Sequence, residues 1–280
     1  MKKIIIVIVL VCILIASAVW KSVSYNPHHL TIRSESLKSP KIDSSLNGTS
    51  IVYFTDLHYG TYTNDDDLNK CIDTINKLNP DVVVFGGDLI DDYPDSNVTQ
   101  DQIQKLISKL KSISASQGKY FILGNDDLYN DECREQISNI LSLGGFVSLI
   151  NTNYKIYNGT SSYINIVGLD SLLNGNPDIS NAFNGLDPLV YTIAFAHCPD
   201  LFDEMPLSDC DYVIAGHSHG GQIYIPLFDR LYRAKGSLNY FHGKHKKNTT
   251  TLDISNGVGL TSYSIRFNAP AEIVYYKLES

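Results

Sequence analysis

The feature that most constrains the fold is a series of apolar, strand-like runs that each lead directly into histidine, aspartate or asparagine. The runs are "IVYFT" (51–55), "VVVFG" (82–86), "FIL" (121–123), "IAFA" (193–196) and "YVIAG" (212–216). The polar residues that follow them are, in chain order, Asp56, His58, Asp88, Asn125, Asp126, His197, His217 and His219. Ligand sites of α/β sheets form at the carboxyl ends of strands, and residues two apart in an extended segment point the same way. We therefore expect these side chains to converge on one cavity.

Segments of helical periodicity alternate with the first of these runs. Residues 65–79 and 99–113 carry apolar side chains at the spacing of an amphipathic helix, and strand-like runs dominate after residue 145. The chain has 280 residues, of which 43% are hydrophobic. That content can bury the core of one domain of about 230 residues. The sequence therefore predicts a single α/β domain with appendages, to which both halves of the chain supply strands.

The N-terminus is apolar enough to enter a membrane. The residues from Ile4 to Trp20 include only one clearly polar side chain, Ser17, and follow Lys2 and Lys3. This pattern favours a retained membrane anchor with a cytoplasmic N-terminus and an exported domain. The alternative is a secretory signal cleaved after "ASA" at 16–18. The expected organisation is an anchor or signal segment (1–24), a tether (25–49) and a folded domain (50–280).

The net charge of −8 and the lack of a long basic stripe argue against nucleic acid as the main partner. Basic residues do gather in one segment, 229–247. They are Arg230, Arg233, Lys235, Lys244, Lys246 and Lys247. This segment is either a site for an anionic head group or membrane surface, or an ordinary solvated loop.

The cysteines do not form a metal-binding pattern. Cys71, Cys133, Cys198 and Cys210 lie beyond the apolar segment and include no CxxC pair. In an exported domain they could form one or two disulfides, or they could be small buried apolar residues.

The residue types at the strand ends suit a transition metal with mixed nitrogen and oxygen ligands. The stretch "GHSHGG" (216–221) is the most specific, because its glycines allow the backbone to approach a ligand closely beside two imidazoles. The absence of a thiolate ligand argues against a structural zinc site. The sequence therefore predicts a metal centre at the strand ends.

The motifs "DLH", "GGDLID", "GND", "AHCPD" and "AGHSHGGQ" together resemble the calcineurin-like metallophosphoesterase superfamily, over nearly all of residues 50–280. The "GHSHGGQ" form and the closing segment 252–278 resemble its YkuE-type, membrane-associated bacterial subgroup. The resemblance implies a four-layer α/β/β/α sandwich with two mixed sheets. It also implies a metal-dependent hydrolase of phosphate esters or anhydrides.

The resemblance further implies a site for two divalent metal ions, which could be Mn, Fe, Zn or Mg. By position, one ion would be bound by Asp56, His58 and His219 and the other by Asn125, His197 and His217, with Asp88 bridging them. A hydroxide shared by the ions would attack phosphorus. Two divalent cations outweigh the charges of two aspartates and one hydroxide, so the site would still attract an anionic ester.

The chain departs from the family pattern at Asp126, because "GNDD" stands where the family has "GNH" followed by an acidic residue. Asn125 and Asp126 are the candidate catalytic residues, and the missing histidine normally contacts phosphate and protonates the leaving group. Asp126 could turn away from the site, could stay protonated, or could serve a reaction whose leaving group departs unaided. The related UDP-diacylglucosamine hydrolases have arginine there and cleave a lipid-linked pyrophosphate.

The sequence therefore predicts a membrane-tethered, binuclear metal-dependent phosphohydrolase. Its substrate would be a phosphodiester or phosphoanhydride, either of the envelope or linked to a lipid. The alternative is a catalytically degenerate relative at the cell surface that binds metal or a phosphorylated ligand without turnover. The complete ligand set favours the enzyme, and Asp126 favours the alternative.

Overall fold

The computed structural model describes residues 2–91, 93–226, 233–261 and 263–280. The helices are α1 (Lys2–Trp20), α2 (Asp65–Leu78), α3 (Gln100–Lys111), α4 (Asp131–Leu143) and α5 (Ile179–Ala182). The first six strands are β1 (Thr31–Lys38), β2 (Ser50–Phe54), β3 (Val82–Phe85), β4 (Lys119–Phe121), β5 (Val147–Ser148) and β6 (Thr152–Tyr157). The other six are β7 (Tyr163–Gly168), β8 (Thr192–Ala196), β9 (Tyr212–Ala215), β10 (Gly243–Lys247), β11 (Thr250–Ile254) and β12 (Glu272–Glu279).

The strands form two mixed six-stranded sheets. The first has the order β1-β12-β2-β3-β4-β5, in which β12 is antiparallel to β2 and all other neighbours are parallel. The second has the order β10-β11-β9-β8-β7-β6 and is parallel except for its two edge strands. The predicted α/β class with two mixed sheets is confirmed.

The apolar runs are continuous because both faces of the central strands are buried. In β3, Val82 and Val84 point into the cluster between the two sheets, whereas Val83 and Phe85 point toward the helices on the outer face. This alternation follows from the two-residue repeat of a strand. The layers therefore run helices, sheet, sheet, helices, as the four-layer sandwich requires.

Helices α2, α3 and α4 cover the first sheet, and their starts are encoded locally. Asn64 caps α2 by accepting from two backbone N–H groups, Thr99 and Gln102 form a capping box on α3, and Asn130 caps α4. The layer over the second sheet is thinner. It consists of α5 and a 3-10 helix, Pro199–Glu204, whose apolar side chains pack on that sheet.

Helix α1 is apolar along its whole length and none of its residues is buried in the protein. The helical segment Lys2–His28 has a most apolar window of mean hydropathy 2.9, and it is long enough to cross a membrane. This helix indicates membrane association. Within the predicted tether, β1 pairs with β12 along its full length, and Arg33 forms ion pairs with Glu272 and Asp253.

All five cysteines lie in the described part of the chain, and no disulfide joins any of them. Cys71, Cys133, Cys198 and Cys210 are buried, so they act as small apolar residues in the core.

Candidate metal centre

The backbone is left-handed at most of the predicted ligands. Positive φ angles occur at Asp56 (56°), His58 (47°), Asp88 (57°), His217 (65°) and His219 (49°). This conformation costs an L-residue about 1–2 kcal/mol, and such strain collects at functional sites where the surroundings enforce it. The turns follow β2, β3 and β9 directly, so three strand ends present their polar side chains to one place.

The first candidate ligand group consists of Asp56, His58 and His219, all buried. Each contributes an oxygen or nitrogen atom within 4.8 Å of the others. The two histidine Nε2 atoms are 3.1 Å apart, and His219 Nε2 lies 3.7 Å from Asp56 Oδ1. Neighbouring ligands of one metal ion have similar separations, because each lies about 2.0–2.2 Å from the ion.

The second group consists of Asp88, His197 and His217, again with ligand atoms within 4.8 Å of one another. His197 Nε2 lies 2.9 Å from Asp88 Oδ2, but this pair does not have hydrogen-bond geometry. His197 Nδ1 lies 2.8 Å from Gly86 O, and His217 Nε2 lies 2.6 Å from Lys235 O. Because a carbonyl only accepts, each of these nitrogens carries the proton. The other ring nitrogen of each histidine is therefore the one that can offer a lone pair to a cation when the ring is neutral.

Asn125 supplies an acceptor without a partner. Its Oδ1 atom is buried and has no hydrogen-bond partner among the described residues, whereas its Nδ2 donates to Asp126 Oδ1 at 2.8 Å. Buried polar atoms are normally paired, so an unpaired amide oxygen in a cluster of lone pairs fits a cation site. The donor set of carboxylate, imidazole and amide is that of a divalent metal centre.

Glycines make room for these groups. A Cβ atom on Gly124 would clash with the carboxylate of Asp88, and one on Gly216 would lie 2.6 Å from Asp56 Oδ2. The glycines after β4 and β9 therefore allow both carboxylates to approach the strand ends closely.

The pKa values of the four histidines are shifted in opposite directions. Burial lowers the pKa of His58 and His197, but neighbouring aspartates raise that of His58 to about 9 and hold that of His197 well above its usual range. Burial, together with a neighbouring imidazole, lowers the pKa of His217 and His219. Strongly shifted pKa values that occur together in a buried cluster are typical of functional sites.

The carboxylates of the two groups also differ. Burial raises the pKa of Asp56. Burial would raise that of Asp88 too, but the charge of His197 and its contact with Asp88 hold the pKa below its usual range. Asp88 therefore stays anionic between the two ligand groups.

Asp126 faces the site at its open rim. Its Oδ2 atom lies 3.8 Å from His58 Nδ1, its backbone N–H donates to Asp88 Oδ1 at 2.9 Å, and its side chain is 40% exposed. Burial of the rest of the group and the charge of Asp88 raise the pKa of Asp126 to about 7. The structure therefore brings together all eight residues that end the apolar runs.

Two further aspartates support the ligands and were missed by the sequence analysis. Asp91 forms a hydrogen bond with His58 Nδ1 and fixes that ring. Asp127 is fully buried and accepts the backbone N–H groups of Asp88 (2.7 Å), Leu89 (2.8 Å) and Gly124 (2.9 Å). Both lie within motifs that were recognised, "GGDLID" and "GNDD". Their closeness in sequence to Asp88 and Asn125 was the signal that could have identified them.

A loop after β11, residues 255–260, forms the wall behind Asp56. Gly259 N donates to Asp56 O at 2.7 Å, and Val258 N donates to Thr55 O at 3.0 Å. The loop is held in turn by Arg266, which is fully buried and donates to the carbonyls of Asn256, Gly257, Gly259 and Ala269.

The predicted basic segment is partly neutralised. Lys244 pairs with Glu35 and Lys247 pairs with Asp203 at 3.1 Å. Arg233 lies over the ring of Phe241. Arg230 lies outside the described residues.

Comparison with known proteins decides the family. Residues 49–221 match the family model of the calcineurin-like phosphoesterases. The chain belongs to this family. It is therefore a metallophosphoesterase, a hydrolase of phosphate esters, and its ligand residues indicate divalent metals.

Three relatives show the range of this family. Metallophosphoesterase YkuE of Bacillus subtilis is 32% identical over 258 residues, which cover 91% of this chain and 87% of the relative. A transmembrane protein with a metallophosphoesterase domain from Danio rerio is 29% identical, over 69% of this chain and 47% of its own length. UDP-2,3-diacylglucosamine pyrophosphatase LpxG of Chlamydia trachomatis is 26% identical, over 71% of this chain and 72% of the relative. The chain spans 61% to 63% of three further bacterial relatives.

Proposed function

We propose that this chain is a binuclear metal-dependent phosphohydrolase that cleaves a phosphodiester or phosphoanhydride bond. The observation that carries the proposal is the position of Asp88. Its carboxylate groups with His197 and His217 on one side and with His58 on the other, within 4.8 Å in each case. A carboxylate between two clusters of lone pairs is suited to bridge two cations.

The proposed ligands are divided as follows. One ion would be held by Asp56, His58 and His219, and the other by Asn125, His197 and His217, with Asp88 shared. Two divalent cations so held would lower the pKa of a common water and clamp the attacking and leaving oxygens of an in-line displacement. Mn, Fe, Zn and Mg are the candidates.

The chain's own groups then orient the site. Asp91 and the Gly86 carbonyl fix the rings of His58 and His197, and Asp127 fixes the backbone that carries Asp88. Asn125 Nδ2 donates to Asp126 Oδ1, which leaves the buried Oδ1 atom of Asn125 for a cation.

Asp126 bears on the class of substrate. No imidazole stands at this position to protonate a poor leaving group. The pKa of Asp126 is raised to about 7, so near neutral pH part of the population is ionised and repels phosphate. A phosphate leaving group departs more readily than an alkoxide, which favours a phosphoanhydride. The relative named a UDP-2,3-diacylglucosamine pyrophosphatase also supports a phosphoanhydride substrate. We therefore propose a lipid-linked or envelope phosphoanhydride or phosphodiester as the substrate.

The proposed location is the outer side of the cytoplasmic membrane. Lys2 and Lys3 precede α1, which favours a cytoplasmic N-terminus and an exported domain. The transmembrane relative supports a retained anchor, and cleavage after residue 18 would instead release the domain. A protease-protection assay on intact cells distinguishes the two faces of the membrane.

Metal dependence tests the proposed function directly. The full chain in detergent is stripped of metal and reloaded with Mn, Zn or Mg separately, and hydrolysis of bis(p-nitrophenyl) phosphate and p-nitrophenyl phosphate is measured. We expect at least one metal to restore diester cleavage, with about two ions per chain, and His217→Ala to abolish it. Two bound ions without cleavage of either ester or of a pyrophosphate-linked substrate would favour a binding protein.

Restoring the family histidine should change the acid chemistry. We expect Asp126→His to raise kcat for bis(p-nitrophenyl) phosphate about tenfold, which lies below the usual range for general acid catalysis because the nitrophenolate leaves readily. Asp126→Asn serves as the control, since it removes the charge without supplying an acid. Equal rates for the two variants would contradict a role for a proton donor at this position.

Removing the carboxylate that holds His58 should weaken metal binding. We expect Asp91→Asn to raise the dissociation constant of the metal about 10–100-fold, because outer hydrogen bonds set the orientation and basicity of a metal-binding imidazole. Calorimetric titration of the stripped protein measures this. Asp65→Asn, on an exposed carboxylate bonded to Tyr59, is the matched control and should leave the affinity unchanged.

A further inference from the structure

The chain enters its catalytic domain on the side of the metal centre. Strand β1 is parallel to β12, and β12 is antiparallel to β2. The first residue of β1, Thr31, therefore lies at the edge of the sheet where β2 ends and Asp56 begins. Because α1 precedes β1, the apolar helix reaches the domain at this edge rather than at the opposite one.

The end of the apolar helix is fixed to the wall of the site. Arg266 N donates to Ser22 O at 2.9 Å, and Asn26 Nδ2 donates to Arg266 O at 2.9 Å. The same Arg266 side chain holds the loop behind Asp56. Two hydrogen bonds thus join residues 22–26 to the part of the domain that supports the ligands.

Aromatic residues mark the level of the membrane surface. Trp20 and Tyr25 are both exposed and flank Ser22 at the end of the helical segment. Tryptophan and tyrosine concentrate at the boundary between lipid and water. The backbone of Arg266, bonded to Ser22, therefore lies close to that boundary.

Exposed apolar side chains lie on segments joined to this part of the domain. Ile223, Ile225 and Tyr263, which we call the apolar collar, have exposed fractions of 47%, 39% and 69%. They belong to two segments that are joined to each other, since Gln222 Nε2 donates to Tyr263 O at 2.6 Å and residues 222–224 pair with Phe267. The segment that carries the two isoleucines begins three residues after His219.

We propose that the apolar collar inserts into the head-group region of the membrane that α1 enters, so that the metal centre opens onto the lipid surface. The occupant is a bilayer because the collar is continuous with the membrane helix through Arg266. The proposal that the metal centre opens onto the lipid surface rests on the proposed function, with the scissile phosphate carried by a lipid of that membrane. An enzyme held in this orientation receives substrate by lateral diffusion in the bilayer.

Fluorescence quenching tests whether the apolar collar inserts into the membrane, without a measurement of activity. Trp20 is the single tryptophan of the chain. In a Trp20→Phe background, Tyr263→Trp and Leu189→Trp are each introduced into the full chain, which is reconstituted in phosphatidylcholine vesicles. Leu189 is 78% exposed and precedes β8, so it lies at the opposite end of the strands from the metal centre.

Brominated phosphatidylcholine should reduce the emission of the Tyr263→Trp protein about twofold, because interfacial side chains penetrate about 5–10 Å. The Leu189→Trp protein should be unaffected. Ile225→Trp provides a second position and should also be quenched. Absence of quenching at 263 and 225, or equal quenching at 189, would overturn the proposed insertion of the apolar collar.

Kinetics test the lipid-borne substrate separately. An Ile225→Ser/Tyr263→Ser variant is compared with Leu189→Ser on an aryl phosphodiester of diacylglycerol in vesicles and on soluble bis(p-nitrophenyl) phosphate. We expect the double variant to lose about tenfold in kcat/KM on vesicles and nothing on the soluble ester, because two apolar anchors are removed. Equal losses on both, or no loss on vesicles, would overturn the proposal. Failure of the unsubstituted protein on every ester and on a pyrophosphate-linked substrate contradicts the proposed function and leaves the quenching result standing.

Discussion

Replacing Asp88 with asparagine is expected to lower kcat/KM for a phosphodiester by at least about 1,000-fold, which corresponds to about 4 kcal/mol of transition-state stabilisation. The carboxylate of Asp88 lies within 4.8 Å of ligand atoms from both groups of the candidate centre. Asparagine keeps its size and tolerates the left-handed backbone at this position, φ 57°. The loss is therefore due to the missing charge. Steady-state kinetics and the metal content of the purified protein measure it.

A matched control separates metal binding from general effects of a buried charge. Asp253 is also fully buried, but it binds Arg33, Tyr212 and Tyr276. We expect Asp253→Asn to lower the free energy of unfolding while metal content stays the same. In Asp88→Asn, added metal should no longer raise Tm, because ligand binding stabilises only a chain that retains the site. Full metal content and activity in Asp88→Asn would contradict the shared-ligand role.

The positions of the eight polar residues could be predicted because strand geometry is simple. A run that is buried on both faces must be apolar throughout, so the first His, Asp or Asn after it marks where the strand leaves the core. Asp56 after β2 and His197 after β8 follow this rule, and they meet although they are far apart in the chain. The pattern predicts where each residue lies but not the left-handed φ angle of its backbone.

The supporting carboxylates could not be predicted in the same way. Asp127 acts by accepting backbone N–H groups from two different turns, and Asp91 acts by orienting His58. Neither contact leaves a periodic signal, because it depends on how the turns after β3 and β4 meet in space. An aspartate in a turn is otherwise an ordinary solvated residue.

Two elements of the fold, α4 and β10, were not predicted from the sequence, and the reasons differ. Helix α4 does carry a helical signal, since its buried residues Cys133, Ile137, Ile140 and Leu141 recur at helical spacing, yet its polar content obscured it. Strand β10, "GKHKK", has no apolar side chain at all. It exists because its backbone pairs with β11 at the edge of the second sheet. Such an edge strand is fixed by its neighbour rather than by its own sequence.

Replacing Arg266 with methionine is expected to lower the free energy of unfolding by about 3–5 kcal/mol. The guanidinium group is fully buried and donates to four carbonyls, among them those of Asn256 (2.9 Å) and Ala269 (2.8 Å). Methionine fills the volume but leaves these acceptors without donors, and each buried unpaired group costs about 1–3 kcal/mol. Denaturant unfolding of the metal-free full chain measures the change.

Two comparisons make this prediction specific. Arg266→Lys keeps the charge but loses the planar array of donors, so we expect it to recover only part of the stability. Arg134 forms a partly exposed pair with Asp170 at 3.0 Å, and Arg134→Met should cost about 1 kcal/mol or less. Because the loop that Arg266 holds donates to Asp56 O, metal affinity should fall in Arg266→Met and remain unchanged in Arg134→Met. Equal losses of stability in the two methionine variants would show that the buried carbonyls do not depend on Arg266.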